Sequence, residues 1–335
     1  MASSLLLHAC CSPRNLLDNG GSGAVIRSDS RSSGSRNLPS TLHRHGDARL
    51  RFFSPMTRCS FSTRSQKRDG GRAAASEEDL TARRAQQAAL WAAEAAYVLW
   101  LFLLPYAPGD PAWAISSNTV NDLVVLSFNF FFILPTLNLV GIRVIEAPVL
   151  HPMAEGLFNF VIGWTFLFAP LLYTDRRRGR FKGSLDLLWG LQMFLTNTFL
   201  IPYMAIRLNS VSEEDSPPKQ SQLGLLMTKG APFVGLAGGA VCLFSAVWAL
   251  FGRADGGFGN LVDRLQFLEG YIGSERLAYA FIWDILLYSI FQPWLIVDNI
   301  QSVKSSYKRL VHVSSFLPVF GLVAHLLFSE NDEDF

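Results

Sequence analysis

The group with the most chemical potential in this sequence is a carboxylate set deep in an apolar run. Ser274-Glu275-Arg276 reads as a helix start, which puts Asp284 about ten residues inside the run 277–297. A charge at that depth costs several kcal/mol unless it is paired, protonated or hydrated. Asp284 is therefore a candidate for ligand binding or proton transfer, the plain alternative being a hydrogen bond to another helix. Tyr288 and Gln292 follow at steps of four, on the same helical face. Trp283 and Tyr279 flank the acid, and Arg276 lies two turns before it.

Other polar groups inside apolar runs are Asn129, Asn138, Gln192, Asn197 and His325. Interhelical hydrogen bonding accounts for such residues in general, and His325 has the further option of ligating a chlorophyll or haem. Asp122 and Asp186 are expected in first helical turns, where a carboxylate favours the helix dipole and Asn121 or Ser184 caps the end. Beyond position 72 the chain holds only His151, His312 and His325, too few for the histidine-rich di-iron hydroxylases and desaturases. There is no phosphate-binding glycine loop, no His-Glu-x-x-His and no acidic diphosphate motif. No lysine lies in an apolar run, which excludes a retinal-type Schiff base. Catalytic residues, a metal and a cofactor are thus not specified.

The elements that position these residues follow from composition. Half of the 335 residues are apolar, 17% are charged and mean hydropathy is +0.23, against about 25% charged in a soluble domain. Six runs approach or reach bilayer-crossing length: 123–140, 158–173, 187–206, 234–251, 277–297 and 311–328. Each must be a helix, because a lone strand leaves backbone groups unpaired in hydrocarbon. The fold class is all-α: a polytopic transmembrane helix bundle of six or seven spans. The seventh run, 88–104, carries Glu94 and could span or lie in the interface. Gly235, Gly238 and Gly239 offer a face for close helix approach, and 260–271 reads as a surface helix. Asp-led spans with later prolines (Pro135, Pro202, Pro293) hint at a repeat, though their offsets disagree.

The domain reading is 1–72 leader, 73–120 linker with the short apolar helix 88–104, and 121–335 helical bundle. The leader holds 12 Lys and Arg, 4 Asp and no Glu, with abundant serine. That is the composition of an organellar transit peptide, and Met-Ala-Ser-Ser with Arg58-Cys59-Ser60 favours the plastid. The expected location is a chloroplast membrane, thylakoid or inner envelope. The remainder carries 17 basic and 23 acidic residues, which argues against nucleic acid as partner. Cys242 is the single cysteine left after the leader, so no intrachain disulfide or cysteine-bound metal is expected there. Under six crossings the loop 175–182 (DRRRGRFK) marks the stromal side, with ten cations against seven on the other.

The last two runs resemble a known family. Ala278-Tyr-Ala-Phe-Ile-Trp283-Asp284, Leu295-Ile-Val-Asp298-Asn299 and His312 through Pro318-Val-Phe-Gly321 to His325 are similar to the end of the small plastid membrane proteins required for neoxanthin formation in abscisic acid synthesis. About 50 residues carry the likeness, and Phe320 interrupts the family's Pro-Val-Gly pattern. More loosely, the whole chain resembles integral membrane proteins shared by plants and cyanobacteria. The resemblance implies a carotenoid or other isoprenoid ligand near Trp283, Asp284 and His325. The rival readings are an assembly or scaffold protein of a membrane complex and a small-solute transporter with broken helices at Pro135 and Pro293.

Overall fold

The computed structural model describes residues 66–210, 219–253 and 256–330. The expected leader therefore lies outside the described residues up to position 65, and its last seven residues enter the backbone of the first helix. In chain order the helices are α1 (Gln66–Val98), α2 (Ser117–Phe128), α3 (Ile133–Leu139), α4 (Pro152–Thr174), α5 (Leu185–Leu195), α6 (Asn197–Ile206), α7 (Gln222–Lys229), α8 (Ala231–Phe251), α9 (Leu261–Ser274), α10 (Arg276–Asp298), α11 (Lys308–Ser314) and α12 (Phe320–Phe328). Among the described residues four segments are long and apolar enough to cross a bilayer: Ser117–Leu139, Pro152–Thr174, Ala231–Phe251 and Arg276–Asp298. The described residues form the all-helical body of a multi-pass membrane protein.

Its centre is α4, with Trp164, Leu167, Phe168 and Leu171 fully buried. Small residues let α8 approach it antiparallel: a Cβ on Gly156 would stand 2.6 Å from the Ser245 carbonyl oxygen, closer than atoms can come. On its other flank α10 runs parallel to α4. Phe158 meets Phe281 at 5.9 Å between ring centres, Thr165 shares a 2.7 Å hydrogen bond with Tyr288, and Asn299 donates to Asp175 at 3.0 Å.

The doubtful run 88–104 belongs to a longer element that travels the length of α10 in the opposite sense. Gln87 donates to the Ala205 carbonyl at 3.1 Å, Tyr97 to Asp284 at 3.0 Å and Trp100 to the Tyr279 hydroxyl at 3.3 Å. The element ends in a π-turn, Leu99–Leu103, where Arg276 donates to the carbonyls of Leu101, Leu104, Ala107, Pro108 and Gly109. A helix end leaves carbonyls without partners, and one guanidinium supplies them here.

Three apolar runs are broken hairpins. The expected span 187–206 divides at Thr196 (φ 41°, ψ −111°) into α5 and α6. Its entrance, Asp186, accepts from Tyr173 at the end of α4, and its exit, Arg207, binds Asp175, the residue after α4. Both ends of the hairpin therefore sit where α4 finishes. The expected span 311–328 divides at Val319 (φ 66°) into α11 and α12. Lys304 N donates to the Phe328 carbonyl and Glu330 N to Ser302, so this hairpin opens at the same end. The third, α2/α3, turns at Phe131 and Phe132 (φ 50° and 56°) and opens at the opposite end. There Thr119, at the start of α2, donates to Glu275 before α10; the turn itself lies against the start of α4, where Asn129 donates to Pro148 at 2.9 Å and to Glu155 at 2.6 Å. Hydropathy cannot separate such hairpins from single crossings, because two half-helices contain as many apolar residues as one span.

One break carries a proline, Pro318 beside Val319, but the prolines noted in the sequence do not mark breaks. Pro293 lies within a continuous α10 and Pro135 lies inside α3, past its turn. Nor does Asp122 stand in a first turn: α2 begins at Ser117, capped by the Ser116 hydroxyl on Thr119 N. The Ser184 cap before Asp186 is present, accepting from Leu187 N. The surface helix exists as α9, closed by an Asn260–Asp263 capping box. Its leucine face is outward, with Leu261 and Leu265 exposed, while buried Arg264 donates to the carbonyls of Ala249 and Gly252.

Candidate functional site

The three polar residues at steps of four on α10 form one buried column with different tasks. Asp284 Oδ1 accepts from Thr196 Oγ1 at 2.7 Å, Asn197 Nδ2 at 2.7 Å and Tyr97 Oη at 3.0 Å. It thus ties the tip of the α5/α6 hairpin to α1. Tyr288 binds Thr165 of α4. Gln292 donates to the carbonyls of Ser315 and Leu317 at 2.9 and 2.8 Å, and its oxygen accepts from Val319 N and Trp164 Nε1, both at 3.0 Å. The opposing hairpin uses the same device on α4, where Asn159 accepts from Phe131 N at 2.6 Å and donates to Asn129 at 3.1 Å. Left-handed non-glycine residues cost about 1–3 kcal/mol each and persist where their surroundings dictate them. A turn frees backbone groups that apolar surroundings cannot satisfy; Gln292 and Asn159 meet them at two of the turns, while at the third Asp284 holds the side chains of Thr196 and Asn197.

Satisfaction is incomplete at the α5/α6 tip. Asn197 Oδ1, Thr198 Oγ1 and Trp189 Nε1 are buried without hydrogen-bond partners. The two opposed hairpins come together on one α4 side chain, Phe166, which lies 5.6 Å from Phe131 and 6.2 Å from Trp189 between ring centres.

Beside the tip, α1, α6 and α10 enclose an apolar groove of about 610 Å³ lined by Tyr97, Trp100, Ile201, Tyr279, Trp283 and Leu287. Tyr97 contributes its ring to the groove and its hydroxyl to Asp284, so the carboxylate lies behind the wall. Of the residues singled out in the sequence, Trp283 and Asp284 meet at this groove through Tyr97. Tyr288 and Gln292 face α4 and α12, and His325 lines a separate cavity at the end where α4 finishes. The α8 glycines divide their work, Gly238 against Leu167 of α4 and Gly235 and Gly239 against Leu326 and Val323 of α12.

A second buried cluster is absent from the sequence reading. Asp175, fully buried, accepts from Arg207 at 2.9 Å through both oxygens, from Tyr203 at 2.7 Å and from Asn299 at 3.0 Å. Arg207 reaches on to Asp298 at 2.8 Å. Burial alone would raise the Asp175 pKa, but the guanidinium outweighs it and holds the carboxyl below its usual range. The available signal was an Asp and an Arg adjoining apolar runs, and only the hairpin brings them together. At the opposite end buried Glu155 plays the equivalent part, accepting from Arg253, Trp248 and Asn129.

With the hairpins in place, charge separates by end. Arg83, Arg84, Arg176, Arg177, Arg178, Arg180, Lys182, Arg207, Lys219, Lys229, Lys304, Lys308 and Arg309 attach to the end where α4 finishes, and Arg143, Arg253, Arg264 and Arg276 to the other. Among the described residues no three His, Cys, Asp or Glu side chains converge on a metal-sized site. No protein family, curated relative or solved structure matches the chain.

Proposed function

We propose that the protein is a chloroplast multi-pass membrane protein that holds an isoprenoid-class lipophilic ligand, such as a carotenoid, in the groove between α1, α6 and α10. The carrying observation is the groove itself: about 610 Å³, aromatic-walled, with the Tyr97–Asp284 and Trp100–Tyr279 pairs as its polar handles. Small-ligand sites are built this way, apolar with a few placed polar groups. The resemblance of the stretch around Trp283 and Asp284 to neoxanthin-forming membrane proteins supports the same ligand class. The acid-poor, arginine-rich leader supports plastid import, tested by whether a fusion of residues 1–80 enters plastids or mitochondria.

In the bilayer, α4, α8, α10 and the α1 segment cross, while α2/α3, α5/α6 and α11/α12 dip in and return, in place of six or seven simple crossings. Thirteen of seventeen cations then share one face. By the positive-inside rule that face is stromal, a far stronger bias than ten against seven. The ligand reading is tested by pigment and prenyl-lipid profiles of a null line complemented with wild type or with Trp283→Ala. Profiles that shift in the null and stay shifted with Trp283→Ala support it, whereas unchanged profiles in the null sink it.

A second reading, transport of a small solute, is favoured by the two hairpins that enter from opposite ends and meet at Phe166. Water access separates the two readings: an Asn197→Cys thiol that reacts with an impermeant maleimide favours transport, and an inert one favours the lipid ligand.

A further inference from the structure

At the basic end, between α4, α7 and α12, lies a cavity of about 380 Å³ lined by Arg176, Arg178, Gln220, Thr228 and His325, with Glu330 also at its wall. The arginines of this loop divide into two sets. Arg177 pairs with Asp298 at 3.6 Å and Arg180 donates to the Arg207 carbonyl at 2.6 Å. The guanidinium groups of Arg176 and Arg178 have no hydrogen bond or ion pair to any described residue. His325 is 1% exposed, and its Nδ1 has no partner. A buried ring nitrogen without a partner is a costly arrangement that a bound ligand would relieve.

The cavity straddles the ends of α4 and α12, from Arg176, Arg178 and Ser329 just past those ends to Pro170 and His325 about one turn inside them. Its other walls, Pro170, Ala231 and Leu326, are apolar. Two guanidinium forks with no partner among the described residues, against the carboxylate of Glu330, favour a tetrahedral oxyanion, which such forks bind through paired N–H donors.

We propose that this cavity binds a phosphate-type anionic group, held by Arg176 and Arg178, with His325 donating from Nδ1 at its floor. The proposal is independent of the α1–α6–α10 groove and needs no ligand there. Its test uses full-length protein in nanodiscs of zwitterionic phosphatidylcholine, titrated either with inorganic phosphate or with short-chain phosphatidylglycerol. Saturable binding is expected, weakened about tenfold or more by Arg176→Gln and by Arg178→Gln and weakened by His325→Leu. Arg309→Gln, a cation on the same face but outside the cavity, should leave it unchanged. Arginine-dependent binding of phosphatidylglycerol alone assigns a lipid headgroup, and the same dependence with inorganic phosphate assigns a soluble anion. No binding of either probe, binding indifferent to Arg176 and Arg178, or an equal loss with Arg309→Gln overturns it.

Discussion

Asp175 and Arg207 stand 32 residues apart in the chain and 2.9 Å apart in space. The first ends α4 and the second ends α6, so the apolar run between them must go in and come back. The pair is fully buried, and a buried charge without its partner is costly. Asp175→Asn should therefore lower stability by about 3–5 kcal/mol, read as a fall in the melting temperature of the purified protein. Asp298→Asn, which removes a partly exposed acid, should cost less.

Acid should act on the same pair in a defined window. Because Arg207 holds the folded Asp175 pKa below its usual value near 3.8, the stability it contributes is present above that value and is lost as pH falls through the folded pKa. Between pH 5 and 8 Asp175 adds no pH dependence.

His151 supplies dependence in that upper range with the opposite origin. Its Nδ1 accepts from Met153 N as the cap of α4, and its ring stacks on Phe267 at 3.5 Å. Burial, with Arg264 nearby, pushes its pKa below 6.5. The unfolded chain thus takes up the proton first, and stability declines as pH drops below about 6.5. His151→Asn keeps a capping oxygen, and a pH series of melting temperatures should become flatter in that variant.

At the hairpin tip, Asp284→Asn retains an acceptor oxygen for Thr196 and Tyr97, and the protein should accumulate normally. Asp284→Ala leaves three donors without an acceptor, at about 1–3 kcal/mol for each buried group unmet, and accumulation in membranes should fall. A well-accumulated Asp284→Asn that fails to complement a null line would assign the charge itself a role.

Much of this was legible in the residues. Apolar runs and absent alternation fix an all-helical membrane protein, the Ser274-Glu275-Arg276 start of α10 is where it was expected, and Asp284, Tyr288 and Gln292 do share a face. The hairpins were not legible: Thr196 is neither glycine nor beside a proline, and Pro318 before Val319 reads equally as a kink within one crossing. What breaks the helices is supplied in three dimensions, by Asp284 and Gln292 reaching across from α10. The sequence also carries a sign of the layout proposed above: a cation bias of only ten against seven is weak for a chain whose arginines are so clustered.

The most direct test of this account is the sidedness of positions 183 and 219, both exposed and flanking α5/α6. Single cysteines, Gly183→Cys and Lys219→Cys, would be placed in a protein whose Cys10, Cys11, Cys59 and buried Cys242 are replaced by alanine, and oriented membrane vesicles would be treated with an impermeant maleimide. If 185–206 dips in and returns, both sites label from the same side of the membrane. Labelling from opposite sides would make the segment a crossing and contradict the account.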